Sequence, residues 1–196
     1  MRTQKFFIAT CYLIFFSVTN TYAEIGTEVH QWEGQNYHQN SSSQKDAAKY
    51  LLSTVTLRDT DKILDIGCGD GKISAELAEK LPRGKVLGID ISESMINFAK
   101  QTYEKKYPNL SFTLGDFHSL PTQEKFDVVL SFTAFQWAKN HRKVLQEVSR
   151  VLKSNGTFAV TMPMGLPEPL KQVTEEIIRE EKWKNYFNDF SSGWNF

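Results

Sequence analysis

The chain predicts an α/β fold: a doubly wound, mostly parallel sheet covered by helices on both sides. Two observations carry that expectation. Between Lys62 and Met162, short apolar runs alternate with stretches of helical periodicity, the pattern of βαβ units. The first of those runs also ends in a glycine-rich turn, Gly67-Cys-Gly-Asp-Gly71, where a strand hands over to a helix. With 196 residues, 40% of them hydrophobic, there is material for one core and too little for two domains.

The first segment reads as an export signal. Arg2 and Lys5 precede an apolar stretch from Phe6 to Val18, and a small-residue region ends at Thr21-Tyr22-Ala23. Cleavage after Ala23 is expected to release a periplasmic or secreted chain with no stable membrane insertion. Left uncleaved, the same run is an anchor for a cytosolic domain, although it is shorter than a spanning helix requires. Residues 24–45 are polar and lack periodicity, an N-terminal arm or lid leading to a helix that Ser42 or Ser43 can cap. In that helix Ala47, Ala48, Leu51, Leu52 and Val55 share one face.

The core, 46–163, follows. Strands are expected at Lys62–Ile66, Lys85–Ile89, Leu110–Leu114, Phe126–Ser131 and Thr157–Met162, with helices at Lys72–Leu81, Glu93–Tyr107 and Asn140–Leu152. The fifth strand is an apolar sheet edge unless something pairs with it. Residues 164–196 read as a helical pattern and an aromatic tail.

Charge is balanced at 23 basic and 23 acidic residues, so no global basic field gathers phosphate backbones and nucleic acid is not an expected partner. The two cysteines, Cys11 and Cys68, form neither a metal spacing nor a disulfide framework, and no metal is expected.

Four motifs converge on the strand ends. The glycine turn continues with Lys72 where a dinucleotide fingerprint would place its third glycine. Asp65 stands just before the turn, where it repels a pyrophosphate and attracts an ammonium group. S-adenosylmethionine offers that ammonium, a sulfonium and no phosphate, whereas an NAD-dependent oxidoreductase is disfavoured. Asp90, in Gly88-Ile-Asp-Ile-Ser92, stands 23 positions after Gly67, where this fold puts a ribose ligand. Asp116 and Phe117 close the third strand, offering a carboxylate to an adenine amino group and a ring to its face. Ser131 ends the fourth strand and is expected to point into the same crevice. Gln136 and Trp137 are candidates to orient an acceptor, and His141 is the nearby side chain that could act as a base.

With these motifs in this order, residues Trp32 to Pro163 resemble the class I S-adenosylmethionine-dependent methyltransferases, whose fold is Rossmann-like. Trp32, Tyr37, Asn40-Ser-Ser-Ser-Gln44, Ser131-Phe-Thr-Ala-Phe-Gln-Trp137, His141-Arg-Lys and Arg150-Val-Leu-Lys-Ser-Asn-Gly156 are similar to the subgroup typified by trans-aconitate 2-methyltransferase and juvenile hormone acid methyltransferase. The resemblance implies that Asp65, Gly67 and Gly69 hold the methionine end of the cofactor. It implies Asp90 and Ile91 at the ribose, Asp116 and Phe117 at the adenine, and Ser131 beside the sulfonium. Tyr37 and Gln44 would belong to a lid. A small-molecule acceptor, a carboxylate by preference, follows from the subgroup. The family's sheet has seven strands, so this chain is expected to be C-terminally shortened, lacking the last two. A cofactor-binding but inactive truncated protein is therefore the rival reading.

Overall fold

The computed structural model describes residues 5–10, 42–162 and 176, with 5–10 and 42–46 described by backbone alone. In chain order the elements are β1 (Lys5–Thr10), α1 (Ser42–Thr54), β2 (Lys62–Ile66), α2 (Lys72–Lys80), β3 (Lys85–Asp90) and α3 (Glu93–Ala99). A π-helical turn (Lys100–Glu104), β4 (Leu110–Leu114), β5 (Phe126–Phe132), a 3-10 turn (Phe135–Trp137), α4 (His141–Val151) and β6 (Leu152–Met162) complete them.

One six-stranded sheet has the order β1-β6-β5-β2-β3-β4, every pair parallel. Parallel strands need covered faces, and the side chains alternate accordingly. Ile63, Val86, Val128 and Leu130 enter one buried cluster with Leu51 of α1 and Leu77 of α2. Leu64, Ile66, Ile89 and Val129 enter the other with Val144, Val148 and Val151, the buried stripe of α4. The sheet is thus doubly wound, as the alternation of patterns implies.

From β2 the chain winds outward through β3 and β4, then returns to place β5 on β2's other side. The strand order therefore reverses between β2 and β5. At such a switch point the crossovers diverge and leave a crevice outside the strands' carboxyl ends.

Beyond single-residue differences at element ends, three features depart from expectation. The helix expected to reach Tyr107 is α-helical only to Ala99 and continues as the π-helical turn. The last strand starts at Leu152 rather than Thr157, because Leu152 already pairs with Phe126 across a register shift, with Asn155 at φ 70°. The expected open edge of that strand is paired: β1, within the segment read as an export signal, runs beside it from Lys5↔Thr157 to Thr10↔Met162. The arm up to residue 41, with Trp32 and Tyr37, lies outside the described residues. So do the C-terminal helix and tail, apart from helical Glu176. Among the described residues no helix is long and apolar enough to cross a membrane, and no group of three or more His, Cys, Asp or Glu could hold a metal ion.

Candidate functional site

The site is built from the turn between β2 and α2. Gly67, Gly69 and Gly71 take φ of 75°, 54° and 79°, the left-handed region closed to most side chains. Three alternate residues in that region fold the turn tightly against the end of β3. The N–H groups of Gly67 and Cys68 both donate to Ile89 O, at 2.7 and 3.0 Å. Space is also closed at Gly67, where a Cβ would lie 2.2 Å from the Cβ of Ala134 in the segment after β5.

Asp90 ties that turn to the next loop. Its Oδ2 accepts from Gly69 N at 2.9 Å and its Oδ1 from Ser92 N at 2.8 Å. Burial pushes its carboxyl above the usual range, and the backbone donors pull it back. Each oxygen keeps a lone pair for a ribose hydroxyl.

Asp65, paired with Gly88 on one side and Leu130 on the other, sits where the glycine turn begins. Its side chain is 1% exposed. Oδ2 accepts from the Ser74 hydroxyl of α2 at 2.5 Å, while Oδ1 is buried without any partner. Burial raises the carboxyl to about 7, and the negative charges of Asp90 and Asp70 push the same way. A buried carboxylate oxygen with no donor, beside two more acids, fits a cationic ligand group. An ammonium-bearing nucleoside with ribose hydroxyls matches this set, whereas a pyrophosphate meets repulsion.

The other expected residues divide. Ile91, just past Asp90, is 57% exposed and available to lie along a ligand. Asp116 is exposed on a turn, and its Oδ1 accepts from the backbone N–H of His118 and pairs with its ring Nδ1, both at 2.8 Å. Those bonds hold the Asp116 carboxyl below the usual range against a partial burial effect. Phe117 packs on the α4-side core and tilts against the His118 ring. Ser131 differs from expectation: its hydroxyl, 1% exposed, donates to Ile66 O at 2.9 Å, so it locks β5 to the end of β2 instead of opening into the crevice. Gln44 lies in the first turn of α1, with its side chain outside the description, and Tyr37 is outside altogether.

The segment after β5 holds the acceptor-side candidates. Gln136, 6% exposed, donates from Nε2 to Thr133 O at 2.6 Å and leaves Oε1 buried without a partner. Trp137 is 47% exposed. His141 stacks on Phe135 with ring centroids 4.9 Å apart, and its Nε2 lies 3.2 Å from Phe135 O. A carbonyl only accepts, so that nitrogen carries the proton and Nδ1 alone is left to act as a base. A recess between α1 and α2, lined by Ala48, Leu52, Ile73, Glu76 and Lys80, includes neither Asp65 nor Asp90 nor Asp116 and is not part of this site.

Ser74 and Thr133 had no role in the sequence reading. A serine on a helix's first turn is unremarkable until strand-turn-helix geometry brings it against the strand's acid. Thr133, a β-branched residue at φ 50°, has no local signature.

The chain is similar in sequence and fold to known proteins. The chain is similar to the protein 235L of Invertebrate iridescent virus 6, 28% identical over 96% of this chain and 66% of that one. Trans-aconitate 2-methyltransferase of Azoarcus sp. (strain BH72) is 30% identical over 74% of this chain and 56% of its own length. The chain thus spans between about half and two thirds of the curated relatives it matches. Among solved structures it is similar to the YcgJ protein from Bacillus, with TM-score 0.52 and 29% identity over 59% of this chain and 50% of that one. Coclaurine N-methyltransferase bound to N-methylheliamine and SAH shares the fold, with TM-score 0.54 and 21% identity over 60% of this chain and 35% of that one. The family described as Methyltransferase domain matches residues 57–191, most of the chain and all of the crevice just described. By that match, with its glycine turn and carboxylates in place, the chain belongs to the methyltransferase domain family.

Proposed function

We propose that the chain transfers a methyl group from S-adenosylmethionine to a small-molecule acceptor, through a carboxylate oxygen of that acceptor. One observation supports the cofactor above all: the unpartnered Oδ1 of Asp65, buried beside a glycine turn that Asp90 binds from the other side. When bound, S-adenosylmethionine supplies an electrophilic methyl on a sulfonium. What this chain contributes is placement and exclusion of water, and well-aligned neighbours supply on the order of 7 to 11 kcal/mol to such a reaction.

Asp65 would take the ammonium and Asp90 the ribose hydroxyls, with Gly67 and Gly69 letting the backbone close on the methionine end. Ile91, Asp116 and Phe117 stand where an adenine would lie. Gln136 and Trp137 would orient the acceptor. A carboxylate is already nucleophilic at neutral pH and needs no base, which suits a site where the acceptor-side histidine, His141, has Nε2 bound to a carbonyl. The trans-aconitate 2-methyltransferases among the relatives support an acid as acceptor. The Lys72 side chain and the acidic turn oppose an NAD reading.

The reading is tested by calorimetry with S-adenosylhomocysteine against NAD, followed by radiolabelled methyl transfer to a panel of di- and tricarboxylates and amines. Asp90→Ala should weaken S-adenosylhomocysteine by roughly tenfold to a hundredfold, the worth of one charge-assisted hydrogen bond. Unchanged affinity in that variant removes the ribose assignment. Transfer to amines but not acids removes the acceptor class.

A further inference from the structure

The carboxylate at the end of β2 does not stand alone. Ser74 is the third residue of α2, a helix whose N-cap, Gly71, offers no side-chain cap. Its hydroxyl is fully buried and bonds neither the turn's backbone nor its own helix; it reaches back nine positions to Asp65. A donor on one carboxylate oxygen fixes the side-chain rotamer and leaves the other oxygen as the sole unsatisfied acceptor.

We propose that Ser74 is a positioning residue of the cofactor site: by holding Oδ2 of Asp65 it presents Oδ1 to the cofactor's ammonium group, and it makes cofactor loading a proton-releasing step. The inference rests on the reading of Asp65 as the ammonium's partner. The titratable groups facing Asp65 are Asp90 from β3 and Asp70 and Cys68 from the glycine turn. Burial keeps the Cys68 thiol protonated well above its ordinary range, so no described neighbour in that group supplies a positive charge. Before cofactor binds, burial favours the neutral acid, raised to about 7. The arriving ammonium restores the balance: Asp65 gives its proton to solvent and its carboxylate accepts from the nitrogen. Burial raises the pH at which this exchange is half complete, and the Ser74 bond, which favours the ionised form, lowers it.

Calorimetry of S-adenosylhomocysteine binding in buffers of different ionisation enthalpy counts the protons released. Wild type should release about 0.9 proton at pH 6, about half at pH 7 and about 0.1 at pH 8, following a single acid near neutrality. In Ser74→Ala the release should persist about one pH unit higher and affinity at pH 7 should fall about tenfold, with Ser74→Thr restoring both. Asp65→Asn should release none at any pH. If Ser74→Ala does not melt cooperatively, Ser74→Cys replaces it, with a smaller shift in the same direction. Binding without pH-dependent proton release, or a Ser74→Ala protein matching wild type in both midpoint and affinity, overturns the role of Ser74 and leaves the cofactor reading standing. No binding of S-adenosylhomocysteine to wild type overturns both.

Discussion

Gly67→Ala tests whether the turn is held by backbone conformation, by space, or by both. The residue has φ 75°, where a side chain costs about 1 to 2 kcal/mol. The new methyl would lie 2.2 Å from the Cβ of Ala134, against an ordinary carbon contact of about 3.5 Å, so the segment after β5 has to retreat by about 1.3 Å. Overpacking of that kind costs about 1 to 3 kcal/mol, for a total of about 2 to 5. Ala134→Gly alone should cost about 0.5 to 1 kcal/mol through backbone entropy. Combined, the two should cost about 1 to 3 kcal/mol less than the sum of the singles, because the clash is gone and only the conformational part remains. Urea denaturation with unchanged slope reads all three values. A Gly67→Ala protein within about 0.5 kcal/mol of wild type, or a double variant that is simply additive, refutes the reasoning.

Three further outcomes follow from the same structure. Thr133→Asn should stabilise by about 1 kcal/mol, since asparagine tolerates the left-handed backbone that Thr133 holds at φ 50°; a lower melting temperature contradicts it. Without added cofactor, an Asp65 raised to about 7 when folded and ordinary when unfolded binds more protons in the fold, so its contribution declines as pH rises from about 4 to 7. Between pH 5 and 8 wild type should lose on the order of 2 to 4 kcal/mol relative to Asp65→Asn, and parallel stability curves for the two proteins would count against the buried acid. Arg150→Ala removes donors to Leu120 O at 3.0 Å, Thr122 O at 2.8 Å and the Glu147 carboxylate, and should cost about 1 to 2 kcal/mol at pH 7 after allowing for its partial exposure. Because the Arg150 bond is the main cause holding Glu147 below the usual range, the gap should narrow as pH falls below the ordinary glutamate range; an equal gap in acid and at neutral pH contradicts that cause.

Where the fold was legible, burial explains why. Lys62–Ile66 and Leu110–Leu114 occupy the residues expected, and β3 and β5 each extend one residue further: β2, β3 and β5 are central parallel strands rich in apolar residues, and the edge strand β4 alternates buried and exposed positions between turn residues. The acids at the ends of β2 and β3 stood out in the sequence because each interrupts an otherwise apolar strand near its carboxyl end. Lys153-Ser-Asn-Gly156 reads as a turn, yet β6 runs through it, since the pairing of Leu152 with Phe126 is a long-range choice no local window contains. Ser131 was misread because its partner is a backbone carbonyl 65 positions away. The Arg150 clamp on the β4–β5 connection is hidden likewise, its carbonyl acceptors lying 28 and 30 positions back.

The placement of β1 sets two fates of one segment against each other. Six residues from the run that resembles a targeting sequence supply the outer hydrogen-bonding partner for β6. If an export machinery gripped this run, it would have to capture it before it docks or peel it off afterwards, so translocation and completion of the sheet would compete. Among the described residues β1 is the partner of β6 on that side, so a chain without residues 5–10 would leave Thr157 to Met162 unpaired by any described strand there, the kind of edge that recruits a second molecule.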